Sequence, residues 1–412
     1  MGAARPGVLI VGAGIAAGQL AVELRQAGYS ESVTIVGDEP RFPYNRPPLS
    51  KEYLLGPGEG FDQLQFRAPA FYADNDIDLI IDDAVVQVHR ADRRVTLASG
   101  STRTYDTLVF ATGARNRQLP LAGADSERVL GLRTVDDADR LRAELDAGRR
   151  AAIIGGGFIG MEIAAVARAR GLDVTVVELA PRAMARALSA ETAAFITDHL
   201  RRSGITFRFE VVPQEIVADA GAVGIVLSGG ERIDADFVLL AAGVVPNAEI
   251  AAQSGLAVAN GIVVDEFLRT EDPHVYAIGD CAIFPHADIG ARVRLESVQN
   301  ATDQARAVAA ALTGRPVPFE KVAWFWSHQG DLNLQIAGLS TGGDTTIAKP
   351  GPDGRFSAYV FASERLISVE SVNFTAEHAA ARRVLADGPR PTMTEVNDDG
   401  FSLRDYARSR VA

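Results

Sequence analysis

Two glycine clusters in this 412-residue chain have the spacing needed to receive a dinucleotide. Gly12, Gly14 and Ala17 form a G-x-G-x-x-A pattern behind the apolar run at 8–11. Gly155, Gly157 and Gly160 form a full G-x-G-x-x-G behind the run at 151–154. In such a turn the first glycine makes the tight bend and the second lets the backbone approach a pyrophosphate. The third small residue keeps helix and strand close. The following helix offers free N–H groups and partial positive charge, with Ile15 and Ala16 opening the first helix and Ile159 the second. An acid after the next strand can accept from a ribose hydroxyl: Asp38, 24 residues past Gly14 (38 − 14), and Glu178, 18 past Gly160 (178 − 160). Glu178 favours NADH, because a carboxylate repels the 2′-phosphate of NADPH, although Arg182 stands nearby. Either pattern alone also fits a glycine turn in an ordinary strand–helix–strand unit; its repetition argues against that.

The elements that position these turns repeat as well. Each cluster lies between a strand and a helix, and a second strand follows at 33–36 or 174–177. Further strands are expected at 77–81, 85–89, 94–98 and 106–111 in the first unit. In the second they are expected near 206–211, 214–218 and 223–228. Asp106 to Gly113 (DTLVFATG) is echoed by Asp236 to Gly243 (DFVLLAAG). The prolines of 43–48 make an ordered loop, after which Ser50 is expected to cap a short helix through Leu55. A linker with Pro120 and Gly123 leads to the second unit. Beyond Gly243 come strands around 262–264 and 275–278, then an Ala-rich helix over 297–313. From about Phe319 the pattern turns antiparallel: a strand at 332–339, a hairpin of 356–361 and 366–372, a helix near 376–386 and a short tail helix near 402–410. The fold class is α/β, with two tandem Rossmann-like dinucleotide-binding domains as in glutathione reductase and a C-terminal α+β domain with an antiparallel sheet.

Composition narrows the function. Lys plus Arg total 41 against 53 Asp plus Glu, a net charge of −12, which argues against a nucleic-acid binder. No apolar stretch approaches the ~20 residues needed to span a bilayer. The opening MGAARPG has no charged leader before an apolar core, so a cytoplasmic location is the default. Cys281 is the only cysteine, which excludes an internal disulfide, a cysteine metal cage and an iron–sulfur cluster; no metal site is expected.

The combination of GxGxxA, PYNRPPLSK (43–51), ATG (111–113), GGGFIG (155–160), AAGVVPN (241–247), YAIGD (276–280) and WFW-S-x-Q (324–329) resembles a known family. It is that of the NADH-dependent ferredoxin reductases that feed bacterial oxygenases, of the putidaredoxin-reductase and aromatic-ring-dioxygenase type. The resemblance covers essentially the whole chain. It implies FAD in a domain of 1–112 and 244–318, NADH in 113–243, and a C-terminal domain, 319–412, flanking the flavin.

The resemblance also assigns residues. For FAD these are Gly12, Gly14, Ile15, Ala16, Asp38, Arg46, Lys51, Val85, Thr112, Gly113, Arg133, Gly279, Asp280, Val298 and Trp326. For NADH they are Gly155, Gly157, Ile159, Gly160, Glu162, Glu178 and Gly243. Arg46 would serve the pyrophosphate, and Lys51 the flavin near N5, where a cation stabilises charge arriving with a hydride. Asp280 would bond the ribityl chain, and Val85 would meet adenine through its backbone. The helix from Ser297 would aim its positive end at the flavin pyrimidine edge. Glu162 would pair with Lys51, both as catalytic residues. Disulfide reductases of this fold need two cysteines after the first unit's second strand, and peroxidases one. Residues 40–60 contain none, so electrons must leave from the flavin edge to an external acceptor, which the resemblance implies is a [2Fe–2S] ferredoxin. Arg306, a lone cation before the small-residue run 307–311, is the candidate for docking that partner, beside the plainer reading of a solvated helix arginine. The alternatives are a rubredoxin or quinone acceptor, or a redox-controlled interaction protein like apoptosis-inducing factor. The short polar tail disfavours a membrane quinone. The compact C-terminal region lacks the insert that the interaction protein would carry.

Overall fold

The computed structural model describes residues 6–56, 60–219 and 222–410; the leader reading of residues 1–5 and the last two residues of the tail lie outside them. The chain divides into two compact units, residues 1–45, 60–115 and 245–321, and residues 46–59, 116–244 and 322–412.

In the first unit Val8–Val11 lies at the centre of a five-stranded parallel sheet, between Val33–Val36 and Thr107–Phe110. Ile77–Ile80 and Val275–Ala277 form its edges. The central strands are continuous apolar runs because both faces are covered. Two helices, Ile15–Gln26 and Val298–Leu312, pack together through small residues, with Ala17, Ala21, Ala301 and Ala305 buried. Antiparallel strands Val85–His89, Arg94–Leu97 and Thr102–Thr104 make a side sheet.

The second unit repeats the parallel sheet. Arg150–Ile154 is flanked by Asp173–Glu178 and Phe237–Leu240, with Thr206–Phe209 at one edge. The other edge differs in origin. It is Val129–Leu130, which precedes the glycine turn in the chain, whereas the matching strand of the first unit, Val275–Ala277, comes long after its own turn. The unit also contains the antiparallel sheet of Trp324–Gln329, Leu332–Gly338, Arg365–Val372, Phe356–Ala362 and Thr345–Pro350, packed by helices Thr375–Asp387 and Leu403–Arg410 around a core that includes Tyr359, Phe361 and Val384.

Two helices lie where only a linker and a gap were expected. Val135–Ala147 starts with a capping box, Thr134 with Asp137, and Ala190–Arg202 starts on Ser189. Ser50 is not the cap expected of it. It ends the short turn Pro47–Ser50; the helix Glu52–Leu55 begins after Lys51 with no side-chain cap, and the Ser50 hydroxyl is used elsewhere.

Candidate functional site

In the first unit Gly12 has φ +108°, and a Cβ there would lie 2.3 Å from the Ala111 carbonyl oxygen. Gly14 is the opposite case: nothing lies within 4 Å of where its Cβ would be. The helix Ile15–Gln26 has no side-chain cap, so the N–H groups of its first turn, at Ile15 and Ala16, face an open cradle. That is the shape a pyrophosphate requires. Thr112 and Asn247 clasp each other beside it. The Thr112 hydroxyl donates to the Asn247 carbonyl (2.5 Å), and the Asn247 amide donates to the Thr112 carbonyl (2.9 Å). Gly113 follows with φ +64°. Val85 is buried at the start of its strand.

Gly279 (φ +75°) donates its N–H to the Gln304 side-chain oxygen at 2.7 Å, and Asp280 follows in a short turn. Val298 is the first residue of its helix, capped by Ser297, whose hydroxyl accepts from the Asn300 N–H (3.1 Å). Two amide atoms on that helix, Asn300 Oδ1 and Gln304 Nε2, are buried with no partner among the described residues. Buried polar atoms are normally satisfied, so this pair fits a ribityl- or pyrimidine-type ligand. Asp38 is exposed. Strand register aligns Val36 with Val11 and Val177 with Ile154, so the counterpart of Glu178 is Gly37 and Asp38 lies one residue beyond.

The second turn is built alike. Gly155 has φ +111°, with a Cβ position 2.3 Å from Ala241 O, and the space around Gly157 is open. Gly160 could carry no Cβ, which would meet the Gly155 carbonyl oxygen at 2.0 Å. The helix Phe158–Ala169 again lacks a side-chain cap, and Ile159 is exposed. Glu178 is fixed by two backbone donors, Gly156 N–H and Ala180 N–H, each at 2.7 Å. Arg182 turns back on its own loop, donating to the Ala185 carbonyl. Gly243 (φ +88°) accepts from the Arg117 N–H at 2.9 Å.

Lys51 and Glu162, 111 residues apart in sequence, meet in this unit at 2.7 Å. Glu162 lies one turn into its helix and is 2% exposed. Its carboxylate also accepts from the Ser50 hydroxyl and from the Ser327 hydroxyl, the latter at 2.6 Å. The pair lines a cleft of about 520 Å³ together with Arg168, His199, His328 and Asp331. Arg46 donates to the Arg133 carbonyl (2.8 Å), and the Arg133 N–H is held by Asp137. Trp326 is half-buried, its ring 5.5 Å from Trp324. Arg46, Lys51, Arg133 and Trp326 thus belong to the second unit, and the other residues assigned to FAD to the first.

Ser327, Asn247, Asn300 and Gln304 were not singled out from sequence. The available signal was weak: polar residues at i and i+4 on an Ala-rich helix, and a serine amid aromatics. Cys281 is fully buried, its thiol against the Ile278 and Phe110 carbonyls, and burial pushes it up from its ordinary range. A thiol held protonated there is no nucleophile. Arg306 is exposed but pairs with Glu23 (2.9 Å) and Asp303 (3.3 Å). Among the described residues no His/Cys/Asp/Glu cluster could hold a metal, and no helix is long and apolar enough to cross a membrane.

Comparison with known proteins adds to this geometry. Residues 6–305 match the pyridine nucleotide-disulphide oxidoreductase family, and residues 324–407 match a reductase C-terminal domain. Rhodocoxin reductase of Rhodococcus erythropolis is 45% identical over 399 residues, covering 96% of this chain and 93% of the relative. The ferredoxin reductase for the CYP199A2 system of Rhodopseudomonas palustris superposes with a TM-score of 0.95 at 45% identity, covering 98% of this chain and 100% of that one. The covalent putidaredoxin reductase–putidaredoxin complex gives 0.93 at 34% identity, covering 99% of each chain.

Proposed function

The chain belongs to the pyridine nucleotide-disulphide oxidoreductase family, and on that footing we propose that it is an FAD-dependent NADH:ferredoxin reductase. Its partner is a separate [2Fe–2S] ferredoxin that serves an oxygenase. The observation that carries this reading is the ion pair of Lys51 with Glu162 at 2.7 Å, in a chain whose only cysteine is buried and protonated. A charge device suited to hydride arrival is present, and a thiol relay is absent. When bound, FAD supplies acceptance of two electrons from NADH and their release one at a time.

The chain's own residues supply the rest. The open turns at Gly14 and Gly157 and their uncapped helices hold the pyrophosphates of FAD and NADH. Asp38 and Glu178 accept from the adenosine ribose hydroxyls; Glu178 is already aimed by two backbone donors. Lys51 presents its ammonium where negative charge develops, and Glu162 orients that ammonium. Gly279, Asp280 and Gln304 serve the ribityl side, Arg46 serves the pyrophosphate, and Arg133 lies beside the flavin dinucleotide. Trp326 serves the flavin face. The division of labour follows 1–112 with 244–318 for FAD, 113–243 for NADH and 319–412 flanking the flavin. Arg306 receives a ferredoxin carboxylate. A cytoplasmic location is part of this reading.

Turnover with NADH should be compared across [2Fe–2S] ferredoxins, rubredoxin, quinones and oxygen. The reading expects a ferredoxin to be reduced fastest; faster turnover with rubredoxin or a quinone overturns it.

A further inference from the structure

Three donors hold the Glu162 carboxylate, and one comes from the antiparallel sheet rather than from the dinucleotide fold. Along Trp324–Gln329 alternate residues share a face. Phe325 packs on Phe158 with ring centroids 4.5 Å apart, Ser327 bonds Glu162, and Gln329 reaches the Met184 sulfur at 3.9 Å. Ser327 and Gln329 are fully buried. A hydroxyl carries a single proton. Gln329 Nε2 donates to Ser327 Oγ at 2.8 Å, which leaves that proton for Glu162 Oε1 at 2.6 Å. The other carboxylate oxygen is treated in the same way. Lys51 approaches Ser50 Oγ at 3.3 Å, and the Ser50 proton goes to Oε2, the oxygen that also receives Lys51. The carboxylate is gripped from both ends, and its rotamer fixes where the Lys51 ammonium sits.

We propose that Ser327, oriented by Gln329, is a positioning residue for the Lys51–Glu162 pair, so that the C-terminal sheet sets the rate at which NADH delivers its hydride. This rests on the reading that the pair serves that step. Without Ser327 one carboxylate oxygen loses its donor in a buried place, and the carboxylate is free to turn away from Lys51.

The test uses the full-length, FAD-loaded protein and the variants Ser327→Ala, Ser327→Thr, Gln329→Met, Glu162→Ala and the double variant Ser327→Ala/Glu162→Ala. Anaerobic stopped-flow separates the limiting rate of flavin reduction from the NADH concentration at half-saturation. Acetylation of Lys51, followed by peptide mass, reports the ion pair without reference to activity. Ser327→Ala should lower the limiting rate about tenfold, leave half-saturation nearly unchanged and speed Lys51 acetylation. Gln329→Met should do the same more weakly, and Ser327→Thr, which keeps the hydroxyl, should restore both readouts. In the Glu162→Ala background Ser327→Ala should add nothing, because it acts through the missing carboxylate. If Glu162→Ala slows reduction while Ser327→Ala changes neither rate nor acetylation, the positioning role is wrong. Additive losses in the double variant also overturn it. If Glu162→Ala leaves the rate untouched, the reading of the pair itself has failed, a result distinct from either.

Discussion

On the proposed reading Glu178 concentrates the choice of nucleotide in a single carboxylate, which two backbone donors hold at the end of its strand. Glu178→Ala removes the repulsion toward a 2′-phosphate, so the ratio of NADPH to NADH specificity (kcat/KM) should rise about tenfold or more. An unchanged ratio in steady-state assays would dismiss the assignment. Glu162→Ala tests a second carboxylate. It strands a Lys51 side chain that is only 12% exposed, so flavin reduction by NADH should slow while FAD stays bound, and stability should fall by about 3 kcal/mol. Stopped-flow traces and melting curves matching those of the parent chain would remove Glu162 from the mechanism. These residues differed in how far they could be read from sequence. Glu178 follows from the strand–turn–helix–strand pattern, because the pattern itself places an acid there. Lys51 and Glu162 are 111 residues apart, so no spacing joins them and only the family resemblance did. Ser327 stood in the quoted WFW-S-x-Q motif but without a role, because its role depends on which face of a strand meets which helix.

Elements carry the next set of consequences. Gly160 lies where helix and strand approach most closely, and a methyl group would press on the Gly155 carbonyl at 2.0 Å. Gly160→Ala should therefore weaken NADH binding and lower stability by about 1–3 kcal/mol, with FAD retained. Titration by NADH-quenched fluorescence together with melting checks it; wild-type affinity would mean the turn has slack. The helix Thr375–Asp387 offers a pH test. Burial, aided by Arg382, drives His378 down to about 4, and neither ring nitrogen has a hydrogen-bond partner among the described residues. The unfolded chain binds this proton below about 6.5 and the folded chain only below about 4, so stability should fall as pH drops from 6.5 to 4, by up to about 3 kcal/mol. The neighbouring Glu377 is raised by burial and works in the opposite sense, losing stability as pH rises above 4.5, so the parent chain alone will not show the effect cleanly. The difference between the parent and His378→Phe isolates it; parallel melting profiles from pH 6.5 to 4 would contradict a buried neutral imidazole. Strands of strong apolar pattern were legible in both units. The helix Val135–Ala147 was not, because its polar, Asp-rich sequence hides the apolar stripe, although its Thr134–Asp137 box was a usable start signal. Ser50 looked like a helix cap by type, but a nearby buried carboxylate is a better partner for its hydroxyl than an exposed helix end.

At the scale of the whole molecule, charge decides how a partner is met. A chain at −12 needs a local cation to meet a partner of like charge, as the ferredoxin is proposed to be, and Arg306 is exposed enough to supply one. Its pairs with Glu23 and Asp303 are surface pairs worth at most about 1 kcal/mol, so a partner carboxylate can displace them. Arg306→Glu should lower ferredoxin turnover and part of its salt dependence, while ferricyanide reduction stays near normal. Equal loss with both acceptors would place the damage at the flavin. The most direct test of the whole reading is an anaerobic electron count. FAD-loaded protein, reduced with one equivalent of NADH, is mixed with oxidised [2Fe–2S] ferredoxin, and the flavin and iron–sulfur absorbances are followed together. Two ferredoxins reduced per flavin, with the same yield from Cys281→Ser, is the result expected of a chain that passes electrons outward without a thiol. Reduced flavin that persists beside oxidised ferredoxin, or a yield that collapses in Cys281→Ser, would contradict it.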